Sequence, residues 1–271
     1  MKSQAGSTSC CCFFEQQHEQ YTHPAMLALE KRVLGCDFGG TSWTTLEQAE
    51  QIPEALDLTP DSHLLEIGAG TGWPGLYLAR QTGCRVTLLD LPVNSLNYAL
   101  RRAHDEQPEN TCCAVAASAA ALPFQNASFS VISHSDVLCC LPEKQAMLEE
   151  CRRVARPGAS MLFYVIAPAS GLSSNDIGEA CEVGPPFVGV NDDYARMLTV
   201  SGWQVLKKND LTAAYLDALR RLLAAMKTSA KSLEPLFGGE EYDAQLLHRA
   251  RQISAIERGL LVREMYIAQA V

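Results

Sequence analysis

The stretch HLLEIGAGTGWPGLYLA, residues 63 to 79, holds the densest chemistry in this sequence. An apolar run ends in Glu66-Ile67 and gives way to Gly68, Ala69, Gly70, Thr71 and Gly72, the pattern of a strand turning into a helix. Glycines at such a turn admit positive φ and let a ligand approach the backbone closely. The helix N-terminus beyond it offers free N–H groups and a positive dipole end, a seat for an anionic group. The spacing E-x-G-x-G-x-G differs from the dinucleotide fingerprint, because Trp73 stands where its third glycine would be, and no Lys follows Gly75 as a phosphate loop needs. A second apolar run, VTLLD, ends in Asp90, where a carboxylate can accept hydrogen bonds from both hydroxyls of a ribose. The pattern favours a nucleoside ligand without a pyrophosphate. A nicotinamide-dependent oxidoreductase and a non-catalytic module that only binds the nucleoside stay open beside an enzyme.

Short apolar runs alternating with helical stretches position this turn. The runs are His63–Ile67, Arg85–Leu89, Cys113–Ala117, Phe129–Ser133 and Met161–Ile166; the helical stretches are Gly75–Gln81, Val93–His104 and Glu143–Ala155. Strands joined by crossover helices predict an α/β, doubly wound Rossmann-like seven-stranded, mostly parallel sheet, with its ligand beyond the C-terminal strand ends. Trp203–Lys207 and Glu264–Ala268 read as the last two strands. Ahead of the sheet, Pro24–Leu34 reads as a helix stopped by Gly35, and Thr44–Leu56 as a second. The boundaries expected are a disordered tail at 1–19, an N-terminal helical cap at 20–60, the nucleoside-binding core at 61–210, a helical substrate insert at 211–258 and the last strand at 259–271. In the insert, Leu216, Leu219, Leu222, Leu223 and Met226 form a stripe at helical spacing, read as core-facing with a solvated basic face.

Composition narrows the partners. With 22 Lys or Arg against 31 Asp or Glu, the net charge of −9 disfavours nucleic acid, whose binding needs a basic face. The apolar run Met161–Ala167 stops at Pro168, far short of the roughly 20 residues a membrane span needs. No signal peptide is legible, which suggests a cytoplasmic protein, monomer or homodimer. Eleven cysteines contain no C-x-x-C pair, so they read as buried hydrophobes and a tail cluster, and no metal site is expected.

EIGAGTG with Asp90 resembles the cofactor site of class I S-adenosylmethionine-dependent methyltransferases, and further matches follow along residues 20 to 269. LPFQNASFSVIS at 122–133 resembles that family's segment leading into its fourth strand, and Arg153-Val154-Ala155-Arg156-Pro157-Gly158 its RVLKPGG before the fifth. Gln20-Tyr21-Thr22, Gly35, the Gly39–Ser42 turn and Asp210-Leu211-Thr212 resemble the small-molecule branch with phosphoethanolamine and sterol methyltransferases. The resemblance implies S-adenosyl-L-methionine as cofactor. Gln20, Tyr21 and Gly40 would close over its methionine half, with Glu66, Gly68, Ala69, Gly70 and Gly72 in the turn beneath. Asp90 and Leu91 would hold ribose and adenine, while Ser118, Ala119, His134 and Ser135 would complete the site.

Two departures stand out. Ser118-Ala119 replaces the Asp that the family uses for the adenine amino group, and Cys140 replaces the His that pairs with the cap Tyr in phosphobase enzymes, which argues against a phosphobase acceptor. Candidate catalytic groups are Tyr21, His134 and Asp136, the imidazole being suited to base work near neutral pH. The acceptor pocket is expected from the cap, Trp73, the segment after the fourth strand and the insert. Residues 207–231 hold six Lys or Arg against two acids, which points to an anionic or amphipathic small-molecule acceptor met by Arg220 and Arg221.

Overall fold

Local chemistry sets the first elements. In a computed structural model that describes residues 16–106, 112–190 and 192–271, helix α1 (residues 16–21) precedes α2 (Pro24–Leu34). Pro24 sits in the first turn of α2, the His23 side chain accepts from the Ala25 N–H, and Gly35 closes the helix at φ 84°. Helix α3 (Leu46–Ala55) starts at a capping box in which Thr45 and Gln48 bond each other's backbone.

The core alternates as its sequence pattern dictates: β1 (His63–Ile67), α4 (Gly75–Thr82), β2 (Arg85–Asp90), α5 (Val93–Glu106), β3 (Cys112–Ala116), β4 (Phe129–Ser135), α6 (Lys144–Val154) and β5 (Ala155–Pro168). Then come α7 (Ser174–Val183), α8 (Tyr194–Val200), β6 (Trp203–Asp210), the helices α9 (Thr212–Thr228), α10 (Ala230–Phe237) and α11 (Gly239–Glu257), and β7 (Leu261–Ala270). The sheet order is β3-β2-β1-β4-β5-β7-β6; β7 runs antiparallel to both of its neighbours, and the other pairs are parallel. Strand order reverses between β1 and β4, so the crevice for a ligand opens beyond Ile67 and Ser135.

Both sheet faces are covered. Leu65, Ile132 and Phe163 pack with Met147, Leu148 and Leu219 on one side, while Leu64, Val131 and Leu162 pack with Ile52, Leu78 and Ala99 on the other. That double burial is why the central strands are near-continuous apolar runs. A third cluster joins α2 to the insert through Leu29, Val33, Met226, Leu233 and Tyr242. Met226 and Leu219 are buried as the stripe predicts.

Two expectations change. Helix α1 reaches back to residue 16 and buries His18, so order begins ahead of residue 20; residues 1–15, with Cys10, Cys11 and Cys12, lie outside the described ones. The fifth strand begins at Ala155 and takes in Arg156-Pro157-Gly158. Helices α7 and α8 fill a stretch where no periodicity is evident. No helix among the described residues is long and apolar enough to cross a membrane, and no disulfide joins the eight described cysteines.

Candidate active site

The glycine turn follows β1 with Gly68, Gly70 and Gly72 at φ 66°, 50° and 102°. Gly68 is irreplaceable on geometry, since a Cβ there would stand 2.3 Å from a Val137 methyl. Asp90, at the end of β2, accepts the Gly70 N–H on one carboxylate oxygen and the Leu91 N–H on the other, each at 2.7 Å. Burial pushes its carboxyl up to about 6 against those two bonds. Leu91 and Val93, 42 % and 50 % exposed, form an apolar shelf beside it.

Glu66 lies beneath the turn. It is 1 % exposed, accepts the Ser133 hydroxyl on one oxygen, and its other oxygen has no partner among the described residues. Burial pushes its pKa from 4.5 up to about 8. Glu66 therefore supports the turn from below. A raised acid favours the folded state in its neutral form, so its contribution is complete below pH 4.5 and declines as pH rises toward 8. In urea denaturation, Glu66→Gln is expected to gain stability relative to wild type across that interval, by at most about 1.4 kcal/mol per pH unit.

The cap closes from above. The His18 ring meets Gly70, whose added Cβ would stand 3.2 Å from it, and the ring bonds the Ser95 hydroxyl; burial lowers its pKa to about 4, leaving it neutral. The Gly39-Gly40 turn is tied to α2 by Glu30, which accepts the Gly39 N–H at 2.6 Å and the Gly40 N–H at 3.4 Å. Gly40 reaches the glycine turn, a Cβ there lying 3.9 Å from the Thr71 hydroxyl.

A cavity of about 1200 Å³ adjoins these parts. Its walls come from α1 and α2 (Gln17, Tyr21, Leu29), the cap turn with Trp43, the segment after β4 (Ser135, Cys139, Cys140), residues 182–187, α9 (Tyr215, Leu222, Met226) and one face of α11 (His248, Arg249, Gln252). Cap, post-β4 segment and insert thus surround it, as the sequence suggests; the contribution of residues 182–187 is new.

The candidate residues separate on placement. Tyr21 lines the cavity, accompanied by Gln17 one turn earlier, whereas Gln20 does not. Ser135 lines it and accepts the Thr44 hydroxyl at 3.1 Å. Ser118 is exposed and turns its hydroxyl to the Ala120 N–H. His134 is a correction: fully buried outside the cavity lining, its ring stacks on Phe163 with centroids 4.7 Å apart, and burial lowers its pKa to about 3. Its ring does not face the cavity and is not placed to act as a base on an acceptor held there.

Asp136 is a second correction. At φ 59° it turns its carboxylate onto Arg263 of β7, which donates from Nε at 3.0 Å and from a terminal nitrogen at 3.0 Å, while the Trp43 N–H donates at 3.1 Å. Arg263 is fully buried and also donates to Thr44 and Gln48 of the cap. With both oxygens engaged, Asp136 fastens the cap to the sheet and is no free base. Trp73 is a core aromatic, 4 % exposed, donating to the Thr44 carbonyl at 2.8 Å; Trp43 lines the cavity instead.

The basic stretch of the insert faces outward. Arg220 pairs with Glu257 at 2.6 Å and Arg221 with Asp217 at 2.9 Å, all on the surface and off the cavity. Neutralising both arginines is therefore expected to leave acceptor KM unchanged in steady-state kinetics. Among the described residues no cluster of three or more His, Cys, Asp or Glu could hold a metal.

The crevice fits a nucleoside with a charged amino-acid tail. Each Asp90 oxygen keeps a lone pair for a ribose hydroxyl, and an apolar shelf lies beside it.

Comparisons agree with this geometry. Residues 65–163 match the family described as a methyltransferase domain. A glycine/sarcosine/dimethylglycine N-methyltransferase of Actinopolyspora halophila is 29 % identical over 194 residues, which cover 70 % of this chain and 34 % of that protein. A phosphoethanolamine N-methyltransferase of Triticum aestivum is 26 % identical over 227 residues, 83 % of this chain and 43 % of that one. The chain thus spans between a third and a half of the length of these relatives. The solved Haemonchus contortus phosphoethanolamine N-methyltransferase 2 in complex with S-adenosyl-L-methionine superposes with a TM-score of 0.78 at 16 % identity, over 95 % of this chain and 60 % of that one. Residues 65–163 therefore match a methyltransferase domain, and the chain shares the fold of the solved methyltransferase.

Proposed function

We propose that the chain transfers a methyl group from S-adenosylmethionine to a small-molecule acceptor held in the cavity. The observation that carries this is the Asp90 carboxylate clamped by the Gly70 and Leu91 N–H groups at the sheet's switch point, next to a cavity roofed by the cap and insert. Bound there, the cofactor supplies a methyl group already activated on a sulfonium sulfur. The chain's own work is alignment and exclusion of water.

In this reading the Gly68–Gly72 backbone takes the methionine end, Asp90 the ribose hydroxyls, and Leu91, Ser118 and Ala119 the adenine. Gly40, Gln17, His18 and Tyr21 cover the reacting end, which keeps solvent from the sulfonium. An acceptor that must lose a proton has the Glu30 carboxylate in the cavity wall to give it to. Burial pushes the Glu30 carboxyl up to about 7, so it takes a proton near neutrality.

Calorimetric titration tests the reading. S-adenosylhomocysteine is expected to bind and NADH not to; the reverse result overturns the proposal in favour of an oxidoreductase. Transfer of labelled methyl to amine, hydroxyl, thiol and carbon acceptors then separates an enzyme from a binding module, which would bind without turnover.

A further inference from the structure

Methyl transfer gives Arg249 in the cavity wall no task. Along α11, Glu241, Gln245, His248, Arg249 and Gln252 recur at helical spacing and line the cavity together. Arg249 is half-buried, and one of its terminal nitrogens donates to the Gln252 amide oxygen at 2.7 Å, a neutral partner that is itself buried. Its guanidinium stands 5.4 Å from the centre of the Trp43 ring, and its Nε is buried with no hydrogen-bond partner among the described residues. The other arginines of the insert helices differ: Arg220 pairs with Glu257, Arg221 with Asp217 and Arg251 with Glu182. Arg249 has no ion pair among the described residues. A guanidinium withdrawn from water without a counter-charge is costly to keep, and one that faces a cavity has its counter-charge supplied by what enters.

The rest of the wall says what enters. At about 1200 Å³ the cavity exceeds the roughly 300–1,000 Å³ of ordinary small-molecule sites. Leu29, Val33, Leu222, Met226 and Phe237 give it apolar sides that a molecule the size of an amino acid would leave wet. Glu143, Glu182 and Glu241 of its lining are exposed, and like charge there disfavours a multiply charged anion.

Resting on the methyl-transfer reading of this cavity, we infer that the acceptor is an apolar ring or chain compound bearing a single acidic oxygen group, and that Arg249 binds that group. The anionic end which the sequence assigns to Arg220 and Arg221 is thereby placed on Arg249, inside the insert.

Calorimetry on the full chain loaded with S-adenosylhomocysteine tests this, with biphenyl-4-carboxylate, its neutral carboxamide and phosphoethanolamine as probes. The carboxylate is expected to bind about tenfold or more tightly than the carboxamide, the scale of one charge-assisted hydrogen bond. In Arg249→Gln the two should bind alike while S-adenosylhomocysteine affinity stays at the wild-type value; Arg249→Lys should restore part of the preference. Equal binding of the two biphenyls by wild type, binding of neither, tighter binding of phosphoethanolamine, or a preference that survives in Arg249→Gln would each overturn the inference. The same titrations on unloaded protein keep the two readings apart. If S-adenosylhomocysteine itself does not bind, the methyl-transfer reading falls, and the Arg249-dependent preference for the carboxylate is still read directly.

Discussion

Arg263→Met is expected to destabilise the chain by about 3–5 kcal/mol, the usual consequence of removing one partner of a buried ion pair. Asp136, 7 % exposed, would be left with its charge in the protein interior, and the cap would lose the donors that reach Thr44 and Gln48. The midpoint of urea denaturation measures the loss. Affinity for S-adenosylhomocysteine should fall with it, because Gly40 and Trp43 belong to the cap segment that this pair fastens down. The double variant Asp136→Asn with Arg263→Met is expected to recover most of the stability, since it buries no unpaired charge and Asn tolerates the positive φ of that position. Wild-type stability in Arg263→Met alone would show that the pair contributes nothing and that the cap is held by its apolar contacts.

Asp90→Ala is expected to weaken S-adenosylhomocysteine binding by about 100-fold or more. Two hydroxyl hydrogen bonds to a charged acceptor, at roughly 1.5–3 kcal/mol each, disappear together. The pH dependence carries a separate signature. With the carboxyl pushed up to about 6, part of the free protein holds Asp90 protonated in mildly acidic buffer, where it accepts hydrogen bonds poorly. Affinity should rise as pH increases through about 6 and level off above it; in Asp90→Asn it should be weaker and flat across the same range. An unchanged affinity in Asp90→Ala would remove the ribose contact from the proposed site.

What could be read from the residues alone follows from the distance over which each feature is encoded. The sheet was legible because each strand lies in one apolar run and each crossover helix in the next stretch. The joint placing of Asp90 and the glycine turn in one site was legible too, because both lie at the ends of neighbouring strands within one βαβ unit. Helix α7 was not, since Ser174, Asn175, Asp176, Gly178 and Glu179 give it no stripe, and only Ala180 and Val183 are buried. The Asp136–Arg263 pair joins residues 127 apart, and its only local sign is an arginine in the middle of the apolar run LLVREMYIA. Asp136 looked like a free base because its partner was out of sight. Arg220 and Arg221 looked like substrate ligands because a charge count does not reveal which charges already have partners. His134 misled because a titratable side chain at a strand end can point into the core as easily as into the crevice.

The place of β7 between β5 and β6 has a consequence for how the chain is made. A ribosome delivers β6 before the strand that must separate it from β5, so β6 cannot dock on the sheet when it emerges, and the open edge of β5 waits through three helices of further synthesis. Unpaired edges of that kind invite association with other nascent chains. Only when residues 261–270 arrive does the sheet close, and the same strand brings Arg263 to an Asp136 that was translated long before. Completion of the barrier-like roof over the crevice is therefore coupled to the end of β7 synthesis, and nascent chains stalled ahead of residue 261 should depend on chaperones while binding no S-adenosylhomocysteine.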